Sequence, residues 1–141
     1  MLKILKTPYG SSVKTLLKTL LQPHQEYLVD ESVETYLDNM SPVVIIVQED
    51  VFLFEERYPK TFVGHYFCKS RGSVALINAK VALAEMMEKA SLILGFTPTN
   101  NKPARLFARK LGFKSNGMID TAFGEAEFFS MTKQEWNEKY G

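Results

Sequence analysis

Arg71, Gly72, Ser73, Val74 and Ala75 stand at a junction where a β-rich stretch gives way to helical periodicity. The start of a helix leaves backbone N–H groups without intrahelical partners, and with the helix dipole these suit an anion such as a pyrophosphate. Gly72 lets a ligand approach the backbone with no side chain in the way. Further along, Lys102, Arg105 and Arg109 recur three and four residues apart, so they form one basic stripe on a helix: either a solvated face or a wall beside a phosphate-bearing ligand. His65 lies mid-strand just before the turn. An imidazole ordinarily titrates near neutrality and can take a proton from an amine, although a histidine packed in the sheet is the blander alternative. Tyr66, the second candidate catalytic residue, falls on the other face of a regular strand, unless a bulge at Gly64 reassigns it. Cys68 has no companion histidine nearby in sequence and reads as a small buried hydrophobe. Cys, His and carboxylates are nowhere spaced as metal ligands, so no metal site is expected.

The elements that must position these groups follow from hydrophobic period. Leu76, Ala79, Leu83, Met86, Met87 and Ala90 recur at helical spacing after the Arg71–Gly72 turn, with Asn78, Glu85 and Lys89 on the opposite, wet side. Residues 91–96 are too short for a helix and too apolar for an exposed strand, which predicts a strand covered on both faces. Asn100 and Asn101 then offer an N-cap, Pro103 sits in a first turn, and Ala104, Phe107, Ala108 and Leu111 line one side of a second helix. Gly112 occupies the left-handed C′ position, and Phe113 packs back over the last turn.

Upstream, residues 2–6 alternate weakly as a first strand. Two amphipathic helices follow, one with Val13, Leu16, Leu17, Leu20 and Leu21, the other capped by Asp30 and carrying Val33, Tyr36, Leu37 and Met40. Residues 43–47, 51–54 and 61–68 are rich in β-branched and aromatic types and read as a meander. Glu55 and Glu56 mark a strand end with one solvated carboxylate. Residues 114–117 read as an extended stretch and turn, 125–130 as a last strand, and 132–136 as a terminal helical turn. The resulting order is β-α-α-β-β-β-α-β-α-β, with a further strand where 114–117 extends: a mixed sheet of the α/β class.

Asn101, Ala104, Arg109, Lys110, Leu111, Gly112 and Phe113 together resemble the N-x-x-A…K-x-G-F signature of the GCN5-related N-acetyltransferase (GNAT) superfamily, and Arg71-Gly72 is similar to the turn that opens that family's preceding helix. The resemblance covers the last half of the chain. Arg-Gly followed by Ala75 and then Lys80 looks most like a small branch carried by phages and prophages, some of whose members are labelled head-assembly proteins. The element order matches the GNAT fold as well. The resemblance implies acetyl-CoA as co-substrate and a small-molecule or peptide amine as acceptor. It places the pyrophosphate on residues 71–75, the pantetheine arm beside the strand end at Phe67 and Cys68, and the CoA tail along Asn101, Ala104, Arg105 and Phe107. Many members place at position 108 a tyrosine whose hydroxyl protonates the departing thiolate; Ala108 cannot, although some branches lack it and still transfer acetyl groups. The rival implication is a structural role among virion proteins.

Length and composition set the outer bounds. A chain of 141 residues, 45% hydrophobic and 23% charged, reads as one domain spanning 1–141. Its net charge of +1 gives no electrostatic reason to expect nucleic acid or a membrane surface as partner. One cysteine excludes an internal disulfide and fits a reducing compartment. Neither a membrane span nor a signal peptide is evident, which points to the cytoplasm, or to a virion for a phage protein. Pairing into a homodimer is an expectation drawn from the relatives.

Overall fold

The computed structural model describes residues 2–5, 42–122 and 124–141. The two amphipathic helices expected from residues 13–40 lie outside the described residues. Among the described residues the strands are β1 (Leu2–Leu5), β2 (Val43–Val47), β3 (Asp50–Tyr58), β4 (Thr61–Phe67), β5 (Leu92–Pro98), β6 (Lys114–Thr121) and β7 (Gly124–Thr132), and the helices are α1 (Gly72–Met87), α2 (Lys102–Leu111) and α3 (Lys133–Tyr140). They build a seven-stranded mixed sheet in the order β1-β2-β3-β4-β5-β7-β6. The expected meander is present: β2 to β4 pair antiparallel, with Val44 opposite Leu53 and Leu53 opposite His65. Then α1 carries the chain across so that β5 runs parallel to β4, as a helical crossover between neighbouring parallel strands should.

Strand alternation sorts the sheet into two faces. Ile45, Val47, Phe52, Phe54, Phe62, Ile93 and Met131 point to one face and pack with Ala79, Ala82, Leu83, Met86 and Met87 of α1 and Leu111 of α2. Trp136 of α3 joins the same core. Burying side chains of this size stabilises the fold by about 1.5–3 kcal/mol each. We call this the helix face. The alternate residues, among them Leu53, Glu55, Val63 and His65, point to the far face.

Several elements differ from expectation, each for a physical reason. The second meander strand is longer than its apolar run, continuing through Glu55 and Glu56 to Tyr58, because Glu55, Glu56 and Tyr58 all find ladder partners on β4. Gly64 makes no bulge; the irregularity in the β3–β4 ladder lies between Glu56 and Tyr58. Residues 114–117 do not end in a turn. They enter β6, which pairs with β7 as a hairpin out to Thr121 opposite Gly124, and Gly117 (φ +94°) sits within the bulge that separates Ser115 from Met118. Asn78 is buried rather than wet, since its side-chain amide donates to Asp50 Oδ2 at 2.8 Å and to Gln48 Oε1 at 3.0 Å. No described helix is long and apolar enough to cross a membrane.

Candidate functional site

Between β4 and β5 the ladder stops early. Thr61, Phe62 and Val63 pair with Leu92, Ile93 and Leu94, and beyond that level the strands, which run on to Phe67 and Pro98, are unpaired with each other. A cleft of about 870 Å³ opens there, lined among others by Gly64, His65, Tyr66, Gly95, Phe96 and Phe107. The parting begins at a pair of glycines standing level on the helix face, Gly64 and Gly95. A Cβ on Gly64 would come within 3.2 Å of the Phe54 ring and 3.6 Å of Ile93 Cγ2, so a side chain here would have to push the Phe54 ring aside by a few tenths of an ångström.

The walls above the opening come from α2, whose ends are set locally. Asn101 accepts a hydrogen bond from the Ala104 N–H at 3.3 Å, and Pro103 sits in the first turn. Gly112 takes the left-handed conformation (φ +103°), and the amides of Gly112 and Phe113 return to carbonyls of the last turn. Ala104, Phe107 and Ala108 face the cleft from this helix. Phe107 stacks on Tyr66 with ring centroids 4.8 Å apart, which places Tyr66 on the helix face of the cleft. Burial, with a smaller contribution from the neighbouring Cys68, pushes the Tyr66 hydroxyl up to about 12, so it is protonated at neutral pH.

Beyond Phe67, which lines the cleft, β4 leads into the Arg71–Gly72 turn. Arg71 is the extended N-cap of α1 without a side-chain cap, Gly72 is left-handed (φ +59°), and residues 71–74 are exposed while Ala75 is buried. A Cβ on Gly72 would meet nothing within 4 Å, so that stretch of backbone is open to a ligand. The turn is anchored by a residue that periodicity does not single out. Asp50 is fully buried and its Oδ1 accepts from the Lys69 N–H at 2.8 Å and the Ser70 N–H at 2.9 Å, while Oδ2 takes the Asn78 amide. Burial works to raise its pKa, but the Ser70 N–H, the Asn78 amide, the Ser70 hydroxyl and the Lys69 N–H outweigh it and hold the carboxyl below the usual range. Cys68, half-buried beside this group, has its thiol pushed up to about 12 by burial and by the Asp50 charge, against a smaller opposing pull from Arg71. A thiol so protonated is a poor nucleophile.

His65 lies on the far face and is exposed at the cleft. Its Nε2 stands 3.4 Å from Oε1 of Glu55, which is buried and also accepts from Arg57 Nη2 at 2.9 Å. Of the expected pair of carboxylates at the strand end, Glu56 is the solvated one. Glu55 was missed as a site residue because an acidic pair next to exposed residues carries no burial signal.

The basic stripe meets a different destination. Arg105 Nε donates to Glu127 Oε1 at 2.8 Å and Arg105 Nη1 to the Thr99 carbonyl at 2.9 Å; Arg109 and the Ser115 hydroxyl bond the second Glu127 oxygen. Glu127 is fully buried on β7. Burial alone would raise its pKa, but the Ser115 hydroxyl and the two guanidinium groups keep it below the usual range. Arg105 and Arg109 therefore fasten α2 to the sheet, and Lys102 stays exposed. Of the residues singled out in sequence, His65, Tyr66, Phe67, Asn101, Ala104 and Phe107 line the cleft. Residues 71–75 are not among its lining and follow on from Phe67, whereas Arg105 is turned to Glu127.

No protein-family model matches this chain, and no curated protein matches it in sequence. Solved structures do match. The aminoglycoside acetyltransferase AAC(6')-Ib in complex with coenzyme A and kanamycin superposes with a TM-score of 0.73 at 11% identity, covering 100% of both chains. A Bacillus anthracis acetyltransferase of the GNAT family gives 0.66 at 12%, covering 94% of this chain and 95% of that one. The fold is that of the GNAT acetyltransferases. RimL, the ribosomal L7/L12 alpha-N-protein acetyltransferase, solved with coenzyme A, superposes with a TM-score of 0.66 at 12% identity over 93% of each chain. At these identities the likeness concerns the scaffold, and the chemistry must come from the cleft itself.

Proposed function

We propose that this chain transfers an acetyl group from acetyl-CoA to a primary amine by direct attack. The observation that carries the reading is the parting of β4 and β5 beyond Val63 and Leu94, which leaves two strand edges bordering a cleft that β4 lines as far as Phe67, a few residues before the turn at 71–75. The chain's groups fit the co-substrate. The backbone of residues 72–75, with Arg71 beside it, would hold the pyrophosphate, since the open Gly72 backbone and the uncapped helix start favour an anion. The facing edges of β4 beyond Val63 and of β5 beyond Leu94 would bond the amides of the pantetheine arm, with Asn101, Ala104 and Phe107 as its wall. When bound, acetyl-CoA supplies an activated acyl carbon and a thiolate leaving group.

The chain's residues then have separable roles. His65 on the far face accepts the proton of the amine, and Glu55 beside it, paired as well with Arg57, favours the imidazolium that forms. Backbone N–H groups at the β4 edge stabilise charge on the acyl oxygen. Tyr66, protonated and on the helix face, supplies a proton to the leaving sulfur, the role Ala108 cannot fill. Holding amine and thioester in line through the opening supplies much of the rate. The test is calorimetric titration with acetyl-CoA followed by thiol release over a panel of amines. Binding in the micromolar range with turnover is expected; no heat at high micromolar concentration would refute the proposal.

Ala108 favours a second reading, a GNAT-fold protein that keeps the scaffold without the reaction and serves by protein contacts in phage head assembly. Stable co-migration with a virion protein and no thiol release with any amine would establish that reading over the first.

A further inference from the structure

The far-face side of the cleft carries an aromatic surface that acetyl transfer alone does not call for. Phe96 on β5 is 41% exposed, lines the cleft, and stacks on Phe128 of β7 with centroids 5.0 Å apart and planes within 6° of parallel. The two residues are direct ladder partners, so one flat apolar wall is fixed to the sheet rather than to a loop. Strand alternation puts Phe96 on the face opposite Ile93, which is the face of His65. Register adds the decisive placement. Val63 pairs with Leu94, so two residues further along each strand His65 and Phe96 stand level on opposite banks of the opening. One bank therefore offers His65 with Glu55 and Arg57, and the other offers a ring face.

Resting on the acetyl-transfer reading above, we propose that the acceptor is an amine joined by a short linker to a flat aromatic ring. The ring lies on Phe96, while the amine reaches across to His65. Where the strands have parted, the span exceeds the roughly 4.8 Å between paired strands, which suits a two- or three-carbon linker. Offset stacking on Phe96 selects a planar ring over a saturated one of equal size, because only the planar ring presents a complementary quadrupole.

Binding of 2-phenylethylamine, 2-cyclohexylethylamine and spermidine to the whole chain, followed by ligand-observed NMR, tests this without requiring turnover. The aryl amine should bind about tenfold more tightly than its cyclohexyl counterpart, the factor expected of one stacked ring pair. Phe96→Ala and Phe96→Leu should both abolish the preference; Phe96→Leu keeps apolar bulk, and unchanged thermal melting of either variant shows that the fold is intact. Equal binding of the two ring amines, tightest binding of spermidine, no binding of any amine, or a preference that survives Phe96→Leu would each overturn the proposal. Acetyl-CoA titration separates the two readings. Ring-selective binding without acetyl-CoA binding removes acetyl transfer and leaves the ring site. Turnover that favours spermidine by kcat/KM removes the ring site and leaves acetyl transfer.

Discussion

Replacing Asp50 should loosen the turn that leads into α1 as well as the fold. In the wild type its carboxylate takes two backbone N–H groups, from Lys69 and Ser70, and the Asn78 amide, all at 2.8–2.9 Å and all out of water on the Asp50 side. Asp50→Ala strands these donors. At roughly 1–1.5 kcal/mol for each, the loss comes to about 3–5 kcal/mol. Asp50→Asn keeps an oxygen for the two N–H groups but turns an amide donor against the Asn78 amide, so it should cost about 2–3 kcal/mol. Urea unfolding measures both directly. In thermal melts, at about 3 °C per kcal/mol for a chain of this length, Asp50→Ala should lower Tm by roughly 10–15 °C. A double-mutant cycle with Asn78→Ala should return a coupling of about 1–2 kcal/mol. The sign of the pH dependence follows from the lowered pKa. The stabilisation is fully present above the unfolded-state aspartate value near 4 and is lost as pH falls through the lower folded-state value, so Asp50→Asn should flatten the acid limb of the stability curve. An Asp50→Asn protein within 0.5 kcal/mol of wild type, roughly the spread of ordinary surface changes, would refute the view that this carboxylate anchors the turn.

Glu127→Gln should cost about 2–4 kcal/mol in urea unfolding, because the clamp on Arg105, Arg109 and Ser115 loses its charge inside the protein. Gly64→Ala should lower stability by about 1–3 kcal/mol by overpacking against Phe54 and Ile93, and it should weaken acetyl-CoA binding in calorimetry if the opening is the pantetheine path. Cys68 should react with iodoacetamide at pH 8 far more slowly than free cysteine, since its thiol is pushed up to about 12, and Cys68→Ser should retain transfer activity. Tyr66→Phe should leave acetyl-CoA affinity nearly unchanged while lowering the thiol-release rate, which stopped-flow detection of free thiol would register.

Features that short-range chemistry decides were legible in the sequence. The α2 segment is the clearest case: Asn101, Pro103, Gly112 and Phe113 act through neighbours within a few residues, and each sits as its type predicts. The meander, the crossover helix and the turn that opens it also followed from period and residue type. Where a polar side chain ends up was decided by partners distant in sequence. Asn78 looked solvated because period assigns polar residues to the wet side, yet Asp50 and Gln48 take its amide in the core. Arg105 and Arg109 looked like a solvated or ligand-facing stripe, yet Glu127, far along the chain, draws Arg105 inward and holds Arg109 at the surface. Residues 91–96 read as a strand covered on both faces because their composition is apolar, whereas the strand runs from Leu92 to Pro98, and its second half borders the cleft and exposes Phe96. The cleft and its two banks depend on where a parallel ladder ceases to pair. That is a relation between strands separated by a helix, and only the folded sheet contains it.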